Sequence, residues 1–254
     1  MPLRINEGYG GGGTTRDSRL PSPSSASGLN VEVAEPNQLG VVAAAHLVRS
    51  MQEAVLLRGQ CAVAFSGGST PKALFEALPA TLPWSKAHVF QADERAVPAG
   101  HPERNLTALR SHLLDRVPIP PTHVHAMPMM ASDLSAAARA YEQELRDVCG
   151  NPPVLDVVHL GLGEDGHTAS LVPDDPVLHV CDADVAVTRP YHGHRRLTLT
   201  YPALNRSRRI LWLVAGAGKA AALRQLLDRD PSIPASGISR EQALVVADSG
   251  AMTP

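Results

Sequence analysis

The feature that most constrains this chain is a recurring local pattern: a short run that is apolar almost throughout, halted at a glycine turn and followed by a stretch of helical composition. Cys61-Ala62-Val63-Ala64-Phe65 halts at Ser66-Gly67-Gly68, and Leu155-Asp156-Val157-Val158-His159-Leu160 halts at Gly161. Such runs lack polar/apolar alternation, so neither face of the strand is left for water. Residues 87–92, 197–200, 210–214 and 244–246 read as further strands, and residues 39–57, 71–78, 103–116, 133–149 and 219–227 as helices. Thr70 stands where an N-cap is needed, with Pro71 at the first helical position. Buried strands separated by helices imply an α/β fold: a three-layer, Rossmann-like, mostly parallel sheet with helices on both faces. Ligands of such sheets bind beyond the carboxyl ends of the strands, where loops carry the chemistry.

The chain has 254 residues, 44% of them hydrophobic, enough for one sizeable core, and residues 30–254 read as a single domain. Residues 1–29 contain Gly10-Gly11-Gly12-Gly13 and Pro21-Ser22-Pro23-Ser24-Ser25, a composition that reads as a flexible extension. A net charge of −2, with no block of basic residues, gives no electrostatic reason to expect nucleic acid or an anionic membrane as partner. No apolar run approaches the ~20 residues that span a bilayer. The three cysteines are widely spaced and form no Cys-x-x-Cys, which fits a reducing, cytoplasmic setting. His123/His125 and His192/His194 are i, i+2 pairs without Glu or Cys at metal-ligand spacing, so no metal is expected. No interface stripe separates from core-facing helix positions, and monomer and homodimer both stay open.

Several segments at strand ends bear chemistry. In Ser66-Gly67-Gly68-Ser69-Thr70, glycines allow close backbone approach, hydroxyls donate, and a helix start follows. Together these suit a phosphate, although an ordinary strand-to-helix turn has the same outline. Gly216-Ala217-Gly218-Lys219 is no nucleotide P-loop, because Leu213 stands where the first glycine belongs and Ala220 replaces the Ser/Thr. Lys219 either adds charge to the same anion or is a solvated lysine. Arg195-Arg196, leading into the strand at Leu197, is a second candidate phosphate contact or a solvated strand edge. In Gly163-Glu164-Asp165-Gly166-His167-Thr168, a tight glycine loop brings a carboxylate within reach of an imidazole, the side chain best suited to proton transfer near neutral pH. The same loop also permits a histidine held only by local hydrogen bonds. Asp93-Glu94-Arg95 suits substrate hydroxyls or a developing negative charge, or else is a surface ion cluster. Asn105, in the loop entering the next helix, is placed to face the ligand.

Taken together and in order, Ser66-Gly67-Gly68-Ser69-Thr70-Pro71, Asp93-Glu94-Arg95, His101-Pro102 with Asn105, Gly163 to Leu171, Arg196-Leu197-Thr198-Leu199-Thr200 and Gly216-Ala217-Gly218-Lys219-Ala220 resemble the 6-phosphogluconolactonase family. That family shares a larger group with glucosamine-6-phosphate deaminase/isomerase, and the resemblance covers about residues 30–250. It implies hydrolysis of a phosphorylated sugar lactone with no metal or organic cofactor. It implies a catalytic His167 supported by Asp165, and a phosphate held by the Ser66–Thr70 loop, Arg196 and Lys219. Arg95 is implied as a further active-site residue. Asp93, Glu94, Asn105 and Gly166 are counted beside these as expected substrate contacts. Two departures stand out: Val172 replaces a usual phenylalanine, and Arg104-Asn105-Leu106 replaces a run like Ser-Asn-Tyr. The deaminase branch typically continues Asp-Gly-His with Ile-Ala-Phe-Asn-Glu-Pro. Here Thr168-Ala169-Ser170-Leu171-Val172-Pro173 lacks that glutamate, which favours lactone hydrolysis over deamination. A non-catalytic sugar-phosphate sensor would keep the cradle and lose Asp165 and His167, and both are present.

Overall fold

A computed structural model describes residues 29–253. The expected extension lies outside the described residues except for its last member, Leu29, which is buried in the core. Seven strands form the main sheet: β1 (Asn30–Ala34), β2 (Cys61–Phe65), β3 (Ala87–Gln91), β5 (Val124–His125), β6 (Val157–Leu160), β9 (Ile210–Val214) and β10 (Ala243–Asp248). Their order is β1-β10-β9-β6-β2-β3-β5, and every pairing is parallel. The helices are α1 (Leu39–Arg58), α2 (Pro71–Ala77), α3 (Asn105–His112), α4 (Leu134–Cys149), α5 (Tyr201–Asn205), α6 (Ala220–Asp228) and α7 (Ser249–Met252).

Each face of the sheet has its own core, which explains the unbroken apolar runs. Cys61, Val63 and Phe65 of β2 join Leu47, Met51 and Leu74 of α1 and α2 on one face. Ala62 and Ala64 join Tyr141, Leu145 and Leu223 of α4 and α6 on the other. In β9, Leu211 and Leu213 belong to the first core and Trp212 and Val214 to the second. The alternation of side chains along a strand is therefore intact, with both destinations dry.

Two expectations are corrected. The strand near 197–200 is β8 (Arg196–Leu199), which joins no parallel sheet. It pairs antiparallel with β4 (Asp93–Arg95) and β7 (Val185–Val187) in a separate three-stranded sheet. The helix over 103–116 is interrupted: α3 ends at His112, Leu113 leaves helical geometry at φ −136°, and a single 3₁₀ turn covers Leu114–Arg116.

The order of the main sheet creates a switch point. From β2 the chain runs outward through β3 to β5, and from the adjacent β6 it runs the other way to β9 and β10. The loops leaving β2 and β6 diverge above the sheet and leave a crevice between them.

Candidate active site

The loop after β6 is wound tightly. Gly163 N–H donates to the His167 carbonyl (2.8 Å) and Gly166 N–H to the Gly163 carbonyl (3.1 Å). A Cβ at Gly163 would lie 2.1 Å from His167 Nδ1, so only glycine leaves room for the ring. Gly166 sits at φ +77°, and a Cβ there would meet Ile233 at 2.4 Å. Within this turn Asp165 Oδ1 lies 2.6 Å from His167 Nδ1 and also accepts the His167 backbone N–H at 3.2 Å. The other oxygen, Oδ2, accepts the Tyr191 hydroxyl at 2.7 Å. Burial alone would raise the Asp165 carboxyl. The Tyr191 hydrogen bond and the neighbouring imidazole outweigh it and hold the group below the usual carboxylate value. Nδ1 is thus engaged, and Nε2 is the nitrogen left for other chemistry; the side chain is 27% exposed at the crevice.

The Ser66–Thr70 loop lines the same crevice, together with Arg95, Asn105, His167, Arg196 and Lys219. Ser66 N–H donates to the His159 carbonyl (3.2 Å), stitching the two loops' strands together. Gly67 carries the Asn105 side chain against its backbone; a Cβ there would meet Asn105 Oδ1 at 1.8 Å. Asn105 is fixed in turn by its amide donating to the Asp93 carbonyl at 2.9 Å. Thr70 holds the position before α2, but its hydroxyl makes no capping bond to that helix. Arg95 and Arg196 are direct cross-strand partners in the β4–β8 pair. Two guanidiniums facing each other repel, and an anion between them relieves that repulsion. Asp93 offsets part of the charge, and its Oδ2 accepts the Ser170 hydroxyl at 2.7 Å. Lys219 reaches in from the turn after β9, 3.9 Å from Glu164. That turn is anchored by Asp248, whose carboxylate oxygens both lie 3.0 Å from the Gly216 nitrogen.

Three sequence-predicted residues fall outside the crevice lining: Asp165, which reaches it only through His167, Glu94 and Gly166. Glu94 is fully buried and accepts the backbone N–H groups of Arg95, Asn105 and Leu106 (2.8, 2.8 and 2.9 Å) and the Gln91 amide (2.8 Å). It fixes the start of α3 and does not face a ligand. Gly166 supports the loop from beneath rather than touching the open space. Three lining or neighbouring residues escaped the sequence reading: Ser170, His159 and Tyr191. His159 is a buried histidine on β6 whose two ring nitrogens lack partners. Ser170 lay inside a quoted segment but had no signal of its own. Tyr191 lies between Asp165 and Arg196, in a loop whose only mark was the nearby histidine pair. Among the described residues, no group of three or more His, Cys, Asp or Glu is arranged to hold a metal ion, and no helix is long and apolar enough to cross a membrane.

Comparison with known proteins bears on this site. The profile of the family described as glucosamine-6-phosphate isomerases/6-phosphogluconolactonase matches residues 34–246. A 6-phosphogluconolactonase of Synechocystis sp. is 44% identical over 201 residues, 76% of this chain and 83% of that one. The 6-phosphogluconolactonase of Mycobacterium tuberculosis is 42% identical over 240 residues, 87% of this chain and 96% of that one. The crystal structure of 6-phosphogluconolactonase from Thermotoga maritima superposes with a TM-score of 0.78 at 28% identity, covering 86% of this chain and 98% of that one.

Proposed function

The chain belongs to the glucosamine-6-phosphate isomerase/6-phosphogluconolactonase family, and on that premise we propose that its crevice hydrolyses 6-phospho-D-glucono-1,5-lactone to 6-phosphogluconate, the lactonase step of the pentose phosphate pathway, with His167 as general base. The observation that carries this reading is the opening of one crevice onto both the Asp165-held imidazole and the Ser66–Thr70 loop with its flanking cations.

The phosphate is held by the loop backbone and hydroxyls, Arg196 and Lys219, which fixes the lactone ring beside His167. Asp165, ionised, keeps the proton of His167 on Nδ1, so Nε2 presents its lone pair. Nε2 takes a proton from water as the oxygen attacks the lactone carbonyl carbon. Charge builds on the carbonyl oxygen, where Arg95 stabilises it. As the tetrahedral species collapses, the bond to the ring oxygen breaks and the imidazolium returns its proton to that oxygen, freeing the chain hydroxyl and leaving a carboxylic acid. Asp165 stabilises the transient imidazolium throughout. Three free thiols, with Cys61 in the core, fit a reducing compartment such as the cytoplasm.

The test is a turnover assay run in parallel on the lactone and on glucosamine 6-phosphate. Lactone opening above the spontaneous rate, with no ammonia from the amino sugar, is expected. His167→Ala lowers lactone kcat by ~10²–10⁴-fold. Unchanged turnover in that variant would remove His167 from the mechanism, and ammonia release would move the chain to the deaminase branch. Binding of 6-phosphogluconate without lactone turnover would make it a sensor.

A further inference from the structure

One side chain touches both halves of the crevice and belongs to neither motif. The Tyr191 hydroxyl donates to Asp165 Oδ2 at 2.7 Å, and its ring meets the His167 ring edge-on with centroids 5.5 Å apart. The Arg196 guanidinium carbon sits 4.9 Å from the centre of the same ring, and the Tyr191 carbonyl accepts Arg196 Nη2 at 3.4 Å. The residue is held rigidly. His192 and Gly193 turn the chain at φ +49° and +81°, and Tyr191 and His194 exchange backbone hydrogen bonds of 3.0 and 3.3 Å across that turn. Two successive left-handed residues make the tight connection that closes a hairpin. The tip is fastened from outside by His194 Nε2, 3.2 Å from Glu103.

We propose that Tyr191 is a positioning residue for this reaction: its hydroxyl fixes the Asp165 carboxylate that orients His167, while its ring face seats the Arg196 guanidinium that holds the phosphate. The proposal rests on the lactone-hydrolase reading for its kinetic consequences and on the geometry alone for its effect on the Asp165–His167 pair. Asp165 has two oxygens and two partners, and it can serve His167 through Oδ1 because Oδ2 is taken up by the phenol. Loss of the hydroxyl frees the carboxylate to rotate and concentrates its charge. A more localised carboxylate favours the imidazolium, so the pair takes up a proton at higher pH. The ionisable groups packed on the tyrosine are few: Asp165 and His167 on one side, Arg196 across the ring face, and His192 with its ring 4.1 Å away. The ring contributes separately, since a guanidinium over an aromatic face is held by the ring quadrupole and kept from turning away.

Tyr191→Phe and Tyr191→Leu separate the two roles. In Tyr191→Phe, kcat for the lactone falls on the order of tenfold, as for a lost hydrogen bond to a charged group, while KM stays near the parent value. The acid limb of the kcat/KM profile moves to higher pH. Tyr191→Leu shows the same loss in kcat and also a raised KM, because the seat of Arg196 is gone. Thermal midpoints of both variants establish that they are folded. Independently of turnover, the His167 imidazole resonance, assigned by its absence in His167→Asn, titrates at higher pH in Tyr191→Phe than in the parent. An unmoved titration, or a Tyr191→Phe enzyme with parental kcat and pH profile, overturns the proposal. A parent protein that opens no lactone overturns the functional reading instead, and leaves the imidazole titration to decide on Tyr191.

Discussion

At the scale of single residues, the site depends on where side chains are missing as much as on where they are present. Gly163 is the clearest instance: an added methyl would overlap both His167 Nδ1 and Asp165 Oδ1, at 2.1 and 2.5 Å. Gly163→Ala therefore displaces the imidazole from its carboxylate. We expect a kcat loss of at least tenfold with the lactone and a KM near the parent value, since the proposed phosphate contacts lie across the crevice; steady-state kinetics check it, and a parental kcat would show that the ring position is not critical. The placing of His167, Asp165, Arg196 and Lys219 at turns or strand ends was legible in the sequence, because each stands beside glycines or next to an apolar run; the roles proposed for Arg196 and Lys219 came from the family resemblance. Tyr191 was not legible. Its importance comes from which carboxylate and which guanidinium it meets, and both contacts are made through folding rather than through neighbours in the chain. Glu94 shows the opposite error: a charge between Asp93 and Arg95 reads as part of a ligand site, whereas its carboxylate is consumed by backbone donors.

At the scale of elements, Glu94 explains how α3 begins. Residue Arg104 provides no side-chain cap, and the N–H groups of Asn105 and Leu106 are instead satisfied by the buried carboxylate reaching across from β4. Glu94→Gln is expected to lower unfolding stability by about 1.5–3 kcal/mol, measured by urea titration. If Glu94 bound substrate directly, the same change would raise KM and leave stability alone. The strand β4 itself was invisible beforehand because Asp-Glu-Arg has no strand propensity; pairing with β8 overrides it. The parallel strands β2, β6 and β9 were legible to within a few residues because burial on both faces leaves a compositional trace. β8 carries a similar trace, and that is why its membership of the small antiparallel sheet was misread: composition reports burial, not pairing partner.

At the scale of the whole molecule, the order of the strands was beyond reach of the sequence, since parallel neighbours are chosen by helices packing on both faces. That order places β6, with His159, in the middle of the sheet. Burial pushes the His159 imidazole down to about 4. Burial, then neighbouring His123 and His125, do the same to His88, also to about 4. A histidine depressed in the folded state binds its proton more readily when unfolded, near its ordinary value of about 6.5. Its contribution to stability is then complete above that value and is lost as pH falls toward 4. Unfolding free energy should therefore decline between pH 6.5 and 4, and His159→Leu should show a shallower decline in the same urea titrations; identical slopes would show that His159 is not one of the groups responsible.

The β3–β4 junction joins the two sheets through a single residue: Ala92 donates its N–H to Phe65 of the large sheet (2.9 Å) and accepts from Leu199 of the small one (2.8 Å). Arg196, proposed to hold the phosphate, thus rides on one sheet and the imidazole on the other, with a clasp one residue wide fixing the span between them. The enzyme in effect carries a gauge for carbon-skeleton length. A lactone bearing its phosphate one carbon nearer the ring should still dock its anion yet fall short of the base, so its deficit should appear in kcat far more than in KM.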